Sequence, residues 1–116
     1  MKIEPNIVEF EWGEGNTDKN KKHRVEDFES EEVFSDENKF IFTDELHSHN
    51  EERLRLLGRT KKGRILFVVF TRRGNKIRIA SSRDVNKREV RLYMRKKLKL
   101  PRFKDENEER ESSGVT

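Results

Sequence analysis

Residues 53–83 restrict the fold more than any other part of this chain. Three β-type runs follow one another there with tight turns between them. RLRLLGR at 53–59 alternates Arg with Leu, the period of a strand with two unlike faces. Lys61, Lys62 and Gly63 make a turn. RILFVVFT at 64–71 is continuously β-branched and aromatic, which suits a central strand covered on both faces. Arg73, Gly74 and Asn75 form a second turn, where Gly and Asn tolerate positive φ. KIRIASSR at 76–83 alternates again. The pattern predicts a three-stranded antiparallel meander.

The flanks are read around that centre. IVEFEW at 7–12 alternates apolar and acidic residues and predicts a strand, broken by Gly13 and Gly15. Asn16 or Thr17 can cap a short Lys-rich helix to about Arg24. EDFESEEVFS at 26–35 has an acidic first turn and roughly helical apolar spacing, so a second helix is expected. KFIFT at 39–43 predicts a strand and the polar stretch 44–52 a turn. Asp84 or Asn86 caps a basic helix from about 86 to 99, stopped by Pro101. The expected fold class is α+β: a small antiparallel sheet with two N-terminal helices and one basic C-terminal helix. Residues 1–100 read as a single domain, and 101–116 as a charged tail expected to be disordered.

Charge adds a functional constraint. The net charge is +4, from 27 Lys and Arg against 23 Asp and Glu. Residues 1–52 carry 6 basic and 16 acidic side chains, whereas residues 53–100 carry 18 basic and 2 acidic. A chain so polarised calls for an anionic partner, with nucleic acid the first candidate. No apolar run approaches the roughly 20 residues of a membrane span, and no export signal opens the sequence, so a cytoplasmic protein is expected. The absence of Cys excludes disulfides, thiol catalysis and Cys-bound zinc. No cofactor is implied.

Strand parity narrows the candidates. Ile77 and Ile79 share one face of their strand, while Arg78 falls on the other with Ala80 and Ser82. Arg83 sits at the strand end, where it can lean over the sheet. Arg53, Arg55, Leu57 and Arg59 share a face. Several guanidinium groups can thus stand above one face, and their planar forks suit phosphate. Arg88 and Arg91 on the basic helix are expected to attract RNA. His23 lies between Lys22 and Arg24, whose charges favour a neutral imidazole able to move a proton; a plain surface His is the alternative. Glu52 is a carboxylate where the chain turns basic, or an ordinary surface ion pair. His47 and His49 with Glu51 resemble a metal pair, but lack a third well-spaced ligand. Trp12 can stack on a base or anchor the core.

A run of short motifs then carries a resemblance. FEW at 10–12, GN at 15–16, KN at 19–20, KH at 22–23, EEVF at 31–34, HS at 47–48, EER at 51–53, GRT at 58–60, GR at 63–64, LFVVFTRR at 66–73 and IRIASSR at 77–83 follow in order. Together they resemble the BrnT family of bacterial type II toxins, over about residues 7–93. The resemblance implies a compact fold similar to RelE-type ribonuclease toxins and metal-independent RNA cleavage that blocks translation. It implies neutralisation by a small BrnA-like antitoxin with its own DNA-binding fold, in a heterotetramer that reaches operator DNA through the antitoxin. The family's polar signature falls on Lys22, His23, Glu52, Arg53, Arg59, Arg73, Arg78 and Arg83. Three departures stand out. One residue is missing between Asn20 and His23, Gly13 replaces the Asp that usually follows the Trp, and the usual Ile-Ser-Ala-Arg reads Ala80-Ser81-Ser82-Arg83.

RNA cleavage without metal needs a base for the 2′-hydroxyl, cations for the phosphorane and an acid for the leaving oxygen. Arg53, Arg78 and Arg83 suit the middle task, and Glu52 and His23 the proton transfers. Lys22, Arg59, Arg73, Arg88 and Arg91 are then RNA-binding positions. The competing readings are a non-catalytic RNA- or ribosome-binding module and an antitoxin-dependent DNA-binding co-repressor. Arg83→Ala is expected to abolish toxicity on induced expression while the folded circular-dichroism spectrum is kept. Growth arrest equal to that of the parent chain would remove Arg83 from the site.

Overall fold

The computed structural model describes residues 9–45 and 51–98. His47 and His49, and the tail 101–116, lie outside the described residues.

The meander is observed as β3 (Glu52–Arg59), β4 (Ile65–Arg73) and β5 (Lys76–Asp84), each antiparallel to the next. Gly63 and Gly74 take φ of 94° and 64° in its two turns, a region closed to most side chains. Strand β2 (Phe40–Thr43) adds antiparallel to β3. Strand β1 (Glu9–Phe10) pairs with β5 in parallel. The sheet is therefore mixed, with order β1-β5-β4-β3-β2. The expected all-antiparallel sheet needs this correction, because the chain from β1 crosses over the sheet before the meander begins.

The expected pair of N-terminal helices also needs correction. Only α1 (Asp27–Glu32) is an α-helix, capped by reciprocal bonds between Glu26 and Glu29. It tightens into a 3-10 turn over Val33–Ser35, which brings Val33 and Phe34 into the core together. The first expected helix is a single 3-10 turn at Lys19–His23, bounded by left-handed Asp18 and Arg24. Its Asn side chains explain why. Asn16 donates through Nδ2 to the carbonyls of Glu11 and Ile79, and Asn20 accepts the backbone N–H of Ser82. Side chains that bond a neighbouring strand compete with the helical ladder. This segment also lacks an apolar stripe to hold a helix down.

β4 separates two cores. On one face Leu66, Val68 and Phe70 pack with Leu54, Leu56, Ile77, Ile79, Val25, Val33 and Phe34. Phe34 meets Phe10 and Phe70 edge-on, with ring centroids 5.1 and 4.9 Å apart. Trp12 joins this core and donates Nε1–H to Glu31 at 2.6 Å, so it serves as an anchor. On the other face Phe67 and Val69 pack with Leu57 and with Tyr93 of α2 (Lys87–Lys97). Tyr93 donates its hydroxyl to Asp36, whose carboxylate also accepts the N–H of Arg59.

Arg64 ties the layers at one end of the sheet. It donates to both oxygens of Asp84, to Glu29 and to the carbonyls of His23 and Arg24. Gly58 marks the tightest approach. A Cβ there would lie 2.8 Å from Leu56 Cδ2 and 2.9 Å from Val33. Gly58→Ala is expected to cost about 1–3 kcal/mol of stability, read as a lower urea midpoint, because both neighbours are packed in the core.

Candidate active site

Register places the arginines. Arg53, Arg55 and Arg59 share the β3 face that carries Leu57, the face covered at one end by α2. Arg53, Thr71 and Arg78 form one cross-strand row. Arg73 falls on the same face of β4, where it is exposed and pairs with half-buried Glu51.

Simple alternation along β5 would send Arg83 to the opposite face from Arg78. The pairing instead shifts by one residue, since Val69 faces Ser81 while Phe70 faces Ile79. Ala80 is the extra residue of a β-bulge. Beyond it the parity reverses, so Arg83 faces Phe67 and joins the arginine face. Ser82, expected beside Arg78, turns to the other face. There it is fully buried and its hydroxyl shares a 2.7 Å hydrogen bond with that of Ser30. The bulge thus brings Arg53, Arg59, Arg73, Arg78 and Arg83 onto one face.

Each guanidinium has a defined setting. Arg83 stands 4.3 Å from the Phe67 ring centroid and holds Glu89 through two bonds of 2.9 Å. A third bond goes to the Asp84 carbonyl, which leaves two of its five N–H groups. Arg78 is exposed, and its Nη2 would lie 2.9 Å from a Cβ at Gly15, so that glycine lets the guanidinium settle against the loop. Arg53 and Arg55 both reach Asp44, at 3.5 and 3.2 Å. Lys22, Arg88 and Arg91 are exposed, Lys22 on the N-terminal turn and the other two on α2.

The proton-transfer candidates are not brought to one place. Glu52 shares the face of Leu54 and Leu56, opposite Arg53, and meets Arg72 at 3.7 Å. His23 is exposed, and its carbonyl is bound at the Arg64–Asp84 end of the sheet. Asp84 aligns with Leu66 and Glu52 with Arg72, so roughly 20 Å of strand separates these ends. The His23 carbonyl and Glu52 therefore lie at opposite ends of the sheet. Among the described residues, no three His, Asp or Glu side chains gather as a metal-ligand set.

Two carboxylates that do lie on the arginine face were missed from the sequence. Asp44 is 6% exposed between Arg53 and Arg55. Its place depends on how the chain leaves β2, and no local pattern marks it. Glu89 was visible only as the N3 partner of Asn86 in a helix capping box.

Burial pushes the Glu89 carboxyl upward, but the bonds from Arg83 and the Asn86 amide, with Arg55 nearby, hold it below its ordinary 4.5. A depressed carboxylate adds stability above its unfolded pKa, and this is lost as pH falls through the folded value. Glu89→Gln is therefore expected to lower stability at pH 7 and to converge with the parent chain near pH 3. Urea unfolding at the two pH values checks this; an equal deficit at both would place the loss in packing.

No helix among the described residues is long and apolar enough to cross a membrane. The curated proteins contain no match to the chain. A family model described as the ribonuclease toxin BrnT of type II toxin-antitoxin systems matches residues 12–89, from Trp12 to Glu89. That span takes in the whole meander, the N-terminal layer and the arginine face, and the chain accordingly belongs to the BrnT family of ribonuclease toxins.

Proposed function

We propose that this toxin cleaves RNA in the cytoplasm without a metal ion, on the arginine face of its sheet, and so blocks translation. The observation that carries this reading is the β5 bulge, which sets Arg83 on the same face as Arg53 and Arg78. The substrate's 2′-oxygen attacks the adjacent phosphorus, and the bond to the 5′-oxygen breaks. A 2′,3′-cyclic phosphate is left on one fragment, and the leaving 5′-oxygen takes a proton from water to become a 5′-hydroxyl on the other. Charge builds on the two non-bridging oxygens, where fixed guanidinium groups act most strongly. Arg53 and Arg78 take that role, while Arg83 faces Phe67, four residues of strand from their row, and holds the RNA beside the reacting phosphate.

Glu52 precedes Arg53 on the strand but stands on the other face with Arg72, so water is the proposed acceptor of the 2′-hydroxyl proton. His23, at the other end, then contacts RNA with Lys22 rather than sharing the step. Arg59, Arg73, Arg88 and Arg91 extend the contact along the backbone, where each neutralised phosphate adds affinity and salt dependence. The proposed relation to RelE-type toxins rests on the meander with its flanking helix. The partner is a BrnA-like antitoxin in a heterotetramer, which brings any operator contact through its own DNA-binding fold. Its expected action is to cover the arginine face.

Induced expression of the chain alone, with and without the neighbouring antitoxin reading frame, tests this reading. Growth arrest relieved by the antitoxin, with new RNA 5′ ends bearing hydroxyl groups, is the expected result. Arg53→Ala and Arg78→Ala are each expected to lower cleavage at least tenfold, as loss of one stabilising donor does. Intact RNA with growth arrest would point to a binding module instead.

A further inference from the structure

Arg55 takes no part in the roles above, yet its surroundings are those of an anion site. It stands on β3, on the same face as Arg53 and Arg83. Its guanidinium lies 5.8 Å from the Phe67 ring centroid, and that of Arg83 lies 4.3 Å from the same centroid. The two approach the ring from the strands on either side of β4. Both guanidinium groups thus stand over one ring, with their central carbons at most about 10 Å apart.

Both groups are held by carboxylates. Asp44 accepts Nε–H of Arg55 at 3.3 Å and lies 3.2 Å from its Nη2, while Glu89 grips Arg83 bidentately. Phe67, itself only 9% exposed, forms an apolar floor that keeps water from one side of each guanidinium. The side chains of Arg55 and Arg83 remain 36% and 41% exposed. Arg55 keeps its Nη1 donors and Arg83 two donors for a ligand. Glu89 already shows what this position accepts, since a carboxylate and a phosphate offer an arginine fork the same pair of oxygens.

We propose that Arg55 and Arg83, over the ring of Phe67, form a binding site for one backbone phosphate of the RNA strand. This deepens the cleavage reading and rests on it for the identity of the ligand. Along the sheet, Arg55 lies two residues and the Phe67–Arg83 pair four residues from the Arg53–Arg78 row, so the site takes a phosphate neighbouring the one that is cleaved. Arg55 binds and aligns the strand; it is not a catalytic residue.

The test is binding of a 2′-O-methyl RNA of about ten nucleotides, which keeps its phosphates but cannot be cleaved. Affinity is followed from 50 to 300 mM salt for the parent chain, Arg55→Met and Arg55→Lys. Loss of one phosphate contact is expected to reduce the slope of log affinity against log salt by about 0.7 in Arg55→Met. At 0.15 M salt that corresponds to about fourfold weaker binding. Arg55→Lys, which keeps the charge, is expected to restore the slope. Cleavage of unmodified RNA by Arg55→Met should show a raised KM and an unchanged kcat. An unchanged slope in a folded Arg55→Met overturns the site. If cleavage survives Arg53→Ala and Arg78→Ala while Arg55→Met loses slope, the catalytic reading fails and the phosphate site stands.

Discussion

The structure depends on covering β4. Its apolar run from Ile65 to Phe70 points side chains to both faces, and neither face can be left to water. Two layers supply the cover, and they differ in charge. One is the acidic N-terminal segment with α1, which packs Val25, Val33 and Phe34 onto Leu66, Val68 and Phe70. The other is the basic helix α2, which lays Tyr93 over Leu57 and Phe67 at one end of the sheet. Covering β4 therefore sorts the charges as well as the core. The acidic half of the chain goes behind the sheet, and the arginines collect in front beside α2.

Within that frame a single backbone irregularity decides what the front face contains. With regular alternation, Ser82 would have stood beside Arg78 and Arg83 would have pointed into the acidic layer. The bulge at Ala80 reverses both. Ser82 gains a buried hydroxyl partner in Ser30, its backbone N–H gains Asn20, and Arg83 gains Phe67 and Glu89. The same interactions that hold the bulge in place also set a guanidinium above the sheet. Core and candidate site are thus coupled through one residue of register.

The meander was legible because each of its strands carries its own signal: alternation in 53–59 and 76–83, a β-branched run between them, and glycines at the turns. The capped helix α2 was legible through the cap at Asp84 or Asn86 and the stop at Pro101. Residues 16–24 were misread as a helix because Asn16 and Asn20 act on β5, far along the chain. Of the site, the arginine positions on β3 could be assigned to a face from parity. Arg83 could be placed only as an end residue able to lean across. Asp44 was invisible, since nothing in its local sequence tells that two arginines will close over it.

The sequence by itself determined the polarity of the chain, the absence of thiol chemistry, the three central strands and the family motifs. These are properties of local composition and spacing, which short-range sterics and hydrophobic periodicity translate directly into strands and turns. The tertiary structure alone decided that β1 joins the sheet in parallel. It also decided that His23 and Glu52 stand at opposite ends, and that Arg55 and Arg83 flank one aromatic ring. Each of those depends on which strand lies beside which and in what register. Register is fixed by long-range pairing and by the bulge, and neither leaves a mark in the residues next to it.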